Sequence, residues 1–251
     1  MTAPATILRE VQSPDVDVCA RGLRRVAQAL GADSVTAERA SDWQVQRQAL
    51  ADLEPRLTEL AGHADDVLRE LTADALGAWQ GDAALSALLV LARDGVERVR
   101  ASAVGALEAW PDSLPARDAV LDATQSNKWS IRMRAARALV AFEGPDVVDA
   151  LFTALVDDDS YVRQGAADSL ARRPLPEFHA RLRRLADYPA PHMLDAAMDL
   201  LGTIGTEEDA VFLARTGSWL NLSQPGFVRA WARRAARRIR DRQAPARAGK
   251  V

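Results

Sequence analysis

Few side chains in this 251-residue sequence have the types and spacing that enzyme chemistry requires. The three histidines, His63, His179 and His192, are scattered, and none belongs to an HExxH zinc motif. Cys19 is the single cysteine and has no CxxC partner, and no GxGxxG, GxxxxGKS, GxxxxGKT or GxSxG signature occurs. The sequence therefore predicts no catalytic residue, no metal site and no cofactor.

Binding is the other chemistry that the residue types allow. Trp129 has Lys128, Arg132 and Arg134 close by in the sequence, at a point where a helix is expected to begin. A large aromatic side chain at a turn is difficult to bury, and exposed aromatics often mark contact sites. Two interpretations of Trp129 stay open: contact with a partner, or packing at the edge of the fold. Trp43 occupies the equivalent place before its own repeat.

These residues are positioned by a repeat whose clearest copy is DDDSYVRQGAADSLARR, from Asp157 to Arg173. Its opening acids suit the first turn of a helix, where they accept backbone hydrogen bonds and complement the helix dipole. Val162, Ala166 and Leu170 follow at steps of four, which predicts one narrow packed face. The preceding run, PDVVDALFTALVD, predicts a partner helix that begins at Pro145.

The same unit recurs along the chain at a fixed period. An apolar anchor followed by arginine marks each clear copy, at Leu68, Val99, Ile131 and Val162. The anchors lie 31 or 32 residues apart, and a leucine follows eight positions later, at Leu76, Leu107, Leu139 and Leu170. Weaker copies surround Val45, His192 and Val228. Such a period indicates a solenoid, because one helix pair cannot bury its own apolar face.

The positions of helix breakers set the expected helix bounds. Near the N-terminus we expect helices at residues 4–12 and 15–30, whereas the repeat register between residues 33 and 61 stays open. A helix that begins at Pro55 continues to about residue 62. From residue 63 onward the pattern predicts helices at about 64–79, 82–93, 95–109, 115–124, 128–142, 146–156, 159–172, 175–186, 190–203 and 226–242. The run 216–226 is expected to be an irregular connection.

An acidic turn followed by VRxxAAxxL at this period resembles the HEAT repeat, and the spacing is similar to the short HEAT-like repeats of the bilin lyase group. The resemblance implies an all-α, right-handed α-solenoid of about seven or eight helix pairs. It divides the chain into divergent N-terminal repeats (1–62), a regular array with a basic C-terminal capping helix (63–242) and a flexible tail (243–251). The di-iron hydroxylases built from HEAT-like repeats match poorly, because no histidine–carboxylate pair repeats.

The resemblance also implies a structural role for the arginine after each anchor. In HEAT-like repeats this arginine bonds to acidic groups of neighbouring turns, here Asp94, Asp157 or Asp158; the alternative is a groove that binds anions. The arginines concerned are Arg69, Arg100, Arg132, Arg163 and Arg229. Three aromatics lie eleven residues after an anchor and are expected in the core, namely Trp79, Trp110 and Phe142.

The second helices of a solenoid usually line its concave side, which is the usual binding surface. Positions two, three and six after an anchor point away from the packed face, and in the first clear copy they include Glu70 and Asp74. We predict a partner-binding groove formed by Trp129, Arg134, Arg137, Gln164, Asp168, Asp195 and Asp199. Its basic middle and acidic flanks suit a protein partner of mixed charge. The alternative is a solvated helix face.

Charge is distributed unevenly along the chain. Residues 228–251 contain nine basic residues and one acidic residue, a net charge of +8, so the remaining chain carries −11 of the total −3. An acidic body does not suit wrapping along a nucleic acid, which leaves the C-terminal arginine helix as the place where phosphate could bind. That helix is either a docking element for phosphate or an acidic partner, or a terminal cap with a polar outer face.

The expected function is that of a non-enzymatic scaffold or adaptor that holds a protein partner. One alternative is a DNA glycosylase similar to the HEAT-like alkylpurine enzymes, and another is a maturation subunit similar to the bilin lyases. No apolar run is long enough to cross a bilayer, no signal peptide is evident, and a single cysteine suits a reducing compartment, so we expect a cytoplasmic protein without membrane contact. The partner's identity and the oligomeric state stay open.

Overall fold

A computed structural model describes residues 4–30, 48, 50–185, 190–218 and 223–247. The regular structure of these residues is helical throughout, and the chain divides into two compact units, Met1–Glu143 and Gly144–Val251. The boundary expected between residues 62 and 63 falls inside the first unit. Trp43 and Val45 lie outside the described residues, together with most of the repeat copy around them.

The first unit consists of two rows of helices. In its described residues the helices are α1 (Pro4–Val11), α2 (Val16–Leu30), α3 (Glu54–Leu60), α4 (Asp66–Trp79), α5 (Asp82–Leu91), α6 (Glu97–Ala106), α7 (Leu114–Ala123) and α8 (Trp129–Ala138). Helices α2, α4, α6 and α8 pack one against the next and form what we call the second-helix row, whereas α3, α5 and α7 form the other row. Short 3-10 turns extend α6 and α8, over Leu107–Ala109 and Leu139–Ala141.

The second unit has the same plan. Its helices in the described residues are α9 (Pro145–Ala154), α10 (Ser160–Arg172), α11 (Pro176–Leu185), α12 (Asp195–Ile204), α13 (Glu207–Thr216) and α14 (Gly226–Arg247). Helices α10, α12 and α14 pack in succession as the second-helix row of this unit, and α9, α11 and α13 each pack against the second helix that follows. The described residues thus contain seven helix pairs, which confirms the expected all-α solenoid of seven or eight pairs.

The anchors and leucines of the repeat form the core of both units. All four anchors are at most 4% exposed, and the four leucines that follow them are at most 2% exposed. Small residues bring the second helices close together: a Cβ atom on Gly77 of α4 would lie 2.8 Å from the Cβ of Ala106 of α6. Glycine at this position therefore sets the spacing of two neighbouring helices.

The acidic turns cap the second helices as the sequence predicts. Asp159 accepts hydrogen bonds from the backbone N–H groups of Tyr161 and Val162, and Asp65 does the same for Val67 and Leu68. Each carboxylate satisfies donors in the first turn of a helix that have no partner within the helix, and its charge is favourable there.

The arginine after each anchor makes one contact that recurs in every clear copy. Its Nη1 donates to the backbone carbonyl oxygen six residues earlier, at distances of 2.5–2.9 Å, in Arg69, Arg100, Arg132 and Arg163. These carbonyls lie in the turn between the two helices of a pair, so the guanidinium ties the second helix to its own turn. A charged donor makes this hydrogen bond stronger than a neutral one.

Arg69 and Arg163 also reach the next repeat in the same unit. Arg69 donates from Nε and Nη2 to the two carboxylate oxygens of Asp94, at 2.7 and 3.0 Å, which confirms that expected pair. Arg163 pairs in the same two-pronged manner with Asp195, at 2.7 and 3.1 Å. Arg163 Nη1 also donates to the backbone carbonyl oxygens of Asp157 and Asp158, at 2.8 and 3.1 Å, in the turn that leads into its own helix.

Two of the three aromatics expected in the core are there, since Trp79 is 2% and Phe142 is 3% exposed. Trp110 is only half-buried, because the chain leaves the 3-10 turn at Trp110 with φ −121° and ψ 68° and does not return to a helix until Leu114. The shared spacing therefore predicted the place of Trp110 in the repeat but not its burial.

Helix α13 was not predicted from the sequence, and α14 is longer than predicted. Helix α13 begins at a capping box in which the Thr206 side chain and the Asp209 carboxylate satisfy each other's backbone N–H groups. Helix α14 continues to Arg247, five residues beyond the expected end at Arg242. The last four residues of the expected tail lie outside the described residues.

Truncation of a repeat leucine tests the core. Leu139 is 1% exposed, so Leu139→Ala is expected to lower the free energy of unfolding by about 2–5 kcal/mol. Leu114→Ala in the same unit is the matched control, because Leu114 is 68% exposed and the change is expected to stay within about 0.5 kcal/mol. Urea unfolding of both variants measures the difference; equal midpoints would contradict the repeat alignment.

The Arg69–Asp94 pair predicts a pH-dependent contribution to stability. The hydrogen bond from Arg69 holds the pKa of Asp94 in the folded protein below its ordinary value. The pair therefore stabilises the fold fully at pH values above the pKa of an unfolded aspartate, about 3.9. This stabilisation is lost as the pH falls through the lower pKa that Asp94 has in the folded protein. Asp94→Asn is expected to cost about 1–3 kcal/mol at pH 7, because both side chains are at most 15% exposed.

Urea titrations at neutral and acidic pH measure this effect, and the difference between Asp94→Asn and the parent protein should shrink in acid. Asp118→Asn is the control, since that carboxylate is 68% exposed. A penalty for Asp94→Asn that is the same at both pH values would show that the charge of Asp94 contributes nothing.

Candidate functional site

The second-helix row of the first unit carries an open cavity of about 460 Å³, which we call the groove. Three successive second helices, α4, α6 and α8, form its walls. Its lining includes Glu70, Glu97, Arg98, Ser102, Met133 and Arg134. Glu70 and Arg134 are two of the side chains that the repeat pattern predicted to point away from the packed face.

One wall of the groove is organised by Arg98 of α6. Its guanidinium donates to the carboxylates of Asp66 and, at 3.1 Å, Glu70, both on α4. The three side chains are 33–46% exposed, so the ion pairs add little to stability. They nevertheless hold the Arg98 guanidinium and the Glu70 carboxylate in defined orientations between α6 and α4.

Glu97, next to Arg98 on α6, makes contacts toward α8. Its carboxylate accepts a hydrogen bond of 2.5 Å from Ser130 Oγ and lies 3.6 Å from Lys128 Nζ. The hydrogen bond from Ser130, with a smaller contribution from Lys128, lowers the pKa of Glu97 below its ordinary value. Glu97 is therefore an anion at neutral pH, held between α6 and α8.

A third pair of charges involves Arg134 of α8. Its side chain lies over Gly105 of α6, so that a Cβ added to that glycine would be 3.5 Å from Arg134 Cδ. Desolvation by the surrounding helices raises the pKa of Asp74, and the positive charge of Arg134 and a hydrogen bond with Ser102 partly oppose this. Arg134 thus favours the charged form of a carboxylate two helices away.

The residues predicted to bind a partner fall in both units. In the first unit, Arg134 lines the groove, and Arg137 is exposed one turn further along α8. Trp129 is 46% exposed at the first position of α8, next in the sequence to the groove residue Ser130. Exposure agrees with the expectation that an aromatic at this turn is difficult to bury.

The other four predicted residues lie on the second-helix row of the second unit. Gln164 and Asp168 are both exposed on α10, and the Gln164 side-chain amide donates to the Asp168 carboxylate at 2.8 Å. Asp199 is half-buried on α12. Asp195 pairs with Arg163; burial acts to raise its pKa, but this pair and the Ala196 N–H outweigh burial and lower it. Asp195 therefore has a structural contact in addition to any contact with a partner.

Sequence reasoning missed the groove residues that precede an anchor. Arg98 and Ser130 each lie one position before their anchors, and Glu97 lies two before. The signal available was their shared place in the first turn of a second helix. The contacts that these residues make with neighbouring helices could not be predicted from the sequence, because they depend on how far each helix is shifted along its axis relative to the next.

His179 takes part in a buried polar network of the second unit. His179 Nδ1 lies 2.6 Å from Oδ2 of Asp209, and this fully buried carboxylate also accepts from Arg183 and from the Thr206 backbone. The network joins α11 to the start of α13. Over the described ranges, no three His, Cys, Asp or Glu side chains are grouped so that they could hold a metal ion. None of the described helices is both long and apolar enough to cross a membrane.

Comparison with protein-family models matches the chain to HEAT repeats, at residues 91–171 and 151–237. The two matches together span residues 91–237, which is more than half of the chain and includes α6 and α8 of the groove. A comparison with curated proteins found no matching sequence.

Several solved structures are similar in fold. The complex of CpcE and CpcF of phycocyanin lyase from Nostoc sp. PCC7120 has a TM-score of 0.54 and 16% identity, covering 96% of this chain and 95% of that chain. Armadillo repeat proteins computationally designed for modular peptide recognition have a TM-score of 0.50 and 17% identity, covering 80% and 99%. A designed armadillo repeat protein in complex with the peptide (KR)4 has a TM-score of 0.50 and 17% identity, covering 95% and 100%. At these identities the likeness shows the fold alone.

Proposed function

The chain belongs to the HEAT-repeat family, and from this premise we propose that it is a non-enzymatic scaffold or adaptor that holds a segment of a protein partner in the groove of its first unit. The observation that carries the proposal is the set of fixed charges of both signs along the groove. Glu70 of α4, Glu97 and Arg98 of α6 and Arg134 of α8 all line it.

Fixed charges of both signs favour a partner of mixed charge. The groove cations Arg98 and Arg134 would attract carboxylates, and the groove anions Glu70 and Glu97 would attract lysine or arginine. Because ion pairs and hydrogen bonds already hold Glu70, Glu97 and Arg98, a partner would not have to order them. Preorganised groups of this kind increase affinity by reducing the entropy lost on binding.

Trp129 supports the same proposal. Binding energy in protein interfaces is concentrated in a few residues, and tryptophan and arginine are enriched among them. Trp129 is exposed beside the groove residue Ser130, so it can add an apolar contact next to the charged ones. We propose that Arg137 extends this surface along α8.

The second unit contributes to the proposal through its own second-helix row. Gln164, Asp168 and Asp199 have polar side chains on that row, which we propose as a partner-binding surface of the second unit itself. We include Asp195 with them, although its carboxylate is shared with Arg163. Armadillo repeat proteins of similar fold have been designed for modular peptide recognition, which supports a peptide segment as the occupant of such a row.

The charges of the groove favour a protein over a nucleic acid. Phosphate binding needs a surplus of cations, because neutralisation of phosphates supplies most of the affinity for nucleic acid. The charged residues that line the groove are two acids, Glu70 and Glu97, and two arginines, Arg98 and Arg134. The groove therefore has no such surplus, which argues against the DNA-glycosylase alternative.

For the compartment we propose the cytoplasm. Cys19, the single cysteine, is buried, and its thiol lies 3.3 Å from the backbone oxygen of Val11. Burial raises the pKa of Cys19 above its ordinary value, so the reactive thiolate is disfavoured. A buried, protonated thiol is compatible with a reducing environment.

Charge reversal on α8 tests the groove. Arg134→Glu together with Arg137→Glu should leave the helix content unchanged, because both side chains are exposed, and should weaken partner binding about tenfold or more. The matched control is Arg21→Glu with Arg24→Glu, which makes the same charge change at exposed positions of the first unit that do not line the groove. Circular dichroism measures the fold; a loss of helix in the α8 variant would show that these arginines are structural.

Binding is measured by a tagged pull-down from the native host, with and without nuclease. A stoichiometric protein that survives nuclease and is lost with the α8 variant, but kept with the control, supports the scaffold. Capture of nucleic acid alone, or loss of the protein with nuclease, would contradict it and favour the glycosylase, which a base-excision assay would then test.

A further inference from the structure

The last helix, α14, carries a surface that the groove does not use. Its buried stripe consists of Val228, Ala232, Ala235 and Ile239, each at most 1% exposed, and packs the helix into the second unit. These residues are spaced by four, three and four positions, which is one face of a helix. The neighbouring face has the same spacing and a different composition.

The arginines of α14 separate into two groups by their contacts. Arg233 donates to the backbone oxygen of Gly217 at 2.7 Å, and Arg242 donates to that of Gly205 at 2.5 Å. These carbonyls follow the last turns of α13 and α12, where basic side chains satisfy acceptors without a helical partner. Arg233 and Arg242 are therefore structural caps of two neighbouring helices.

A second group of arginines on α14 is exposed to solvent, namely Arg234, Arg237, Arg238 and Arg240. Arg237 lies 3.6 Å from the carboxylate of Asp241, and both side chains are more than 70% exposed. Asp241 is the single acidic residue from 228 to the C-terminus, so the exposed side of α14 has a clear surplus of positive charge. Capping does not account for this surplus.

Two aromatic residues lie on the same side of α14 as some of these arginines, nearer the start of the helix. Phe227 is 46% exposed, and its ring meets that of Trp231 edge to face, with ring centroids 5.1 Å apart. Phe227, Trp231, Arg234 and Arg238 are spaced by four, three and four positions, so they form one line along α14, which we call the terminal stripe. The stripe has an aromatic half and a basic half over about 16 Å of helix.

We propose that the terminal stripe is a docking site for an acidic, amphipathic segment of a partner protein. Apolar side chains of the segment would cover Phe227 and Trp231, and its carboxylates would pair with Arg234 and Arg238. The positive charge of Arg234 and Arg238 favours an acidic segment, and the exposed Phe227 beside the half-buried Trp231 favours an apolar side chain at that end. This surface is independent of the groove and of the function proposed for it.

Charge also selects a short protein segment over an extended polyanion. The chain outside residues 228–251 carries a net charge of −11, which would repel a long nucleic acid or an anionic membrane surface lying across the protein. Charges separated by more than about 10 Å are largely screened in physiological salt, so a short acidic segment on the stripe would feel mainly the nearby arginines.

Fluorescence anisotropy of the purified full chain tests the proposal. The probe is a labelled helical peptide with leucines and glutamates at the spacing of the terminal stripe, and its control has glutamine in place of glutamate. The glutamate peptide is expected to bind, and Arg234→Glu with Arg238→Glu is expected to weaken it about tenfold. Trp231→Ala should weaken the same peptide through the aromatic half.

Charge reversal elsewhere in the second unit is the matched control. Arg184→Glu with Arg215→Glu makes the same charge change at exposed positions and should not change the affinity. Equal binding of the two peptides, equal loss in the control variant, or tighter binding of a labelled single-stranded oligonucleotide or of phosphatidylserine vesicles would overturn the proposal. If Arg234→Glu with Arg238→Glu lowers the melting temperature, Arg234→Gln with Arg238→Gln is measured in its place. The same loss of peptide affinity is expected, and the same results would overturn the proposal.

Discussion

Each clear repeat depends on the hydrogen bond from the arginine after the anchor to the carbonyl oxygen six residues earlier. The bond is present in four successive copies at nearly the same length. It fixes the start of a second helix against the turn that leads into it. In Arg69 and Arg163 the same guanidinium also holds a carboxylate of the next repeat, so one side chain sets both the shape of a pair and its position on its neighbour.

The groove follows from this constraint. Its charged residues Glu97, Arg98 and the hydroxyl of Ser130 stand one or two positions before an anchor, in the first turn that the arginine holds in place. Once those turns are fixed, Arg98 reaches α4 and Ser130 reaches Glu97, and both contacts join one repeat to another. The same arginine–carbonyl hydrogen bond in each repeat thus positions charged side chains of the groove whose identity differs from repeat to repeat.

Much of the fold could be predicted from the sequence, because a period in anchors such as Val99 and Ile131 reports directly on packing. The predicted helix bounds agree within a few residues from α4 to α11. Helix α13 was missed because it lacks a full copy of the repeat motif, although Thr206 and Asp209 form a capping box that the sequence shows. The half-exposed Trp110 shows that a shared repeat position does not guarantee a shared depth.

The candidate site could be predicted only in part. The direction of Arg134 and Glu70, away from the packed face, could be predicted because it depends on position within one helix. The Arg98–Glu70 and Glu97–Ser130 contacts were not predicted, because they depend on the distance and stagger between helices. The exposed arginines of α14 were evident from composition, but only the structure separates Arg234 and Arg238 from the capping Arg233 and Arg242.

Site-specific photo-crosslinking in the native host tests most directly whether the groove is a binding surface. A photoreactive amino acid replaces Met133, which lines the groove, or Leu114, which is 68% exposed on a helix of the other row. The proposed function predicts that one protein is crosslinked from position 133 and not from position 114. Crosslinking of the same protein from both positions, from position 114 alone, or of nucleic acid from position 133 would contradict it.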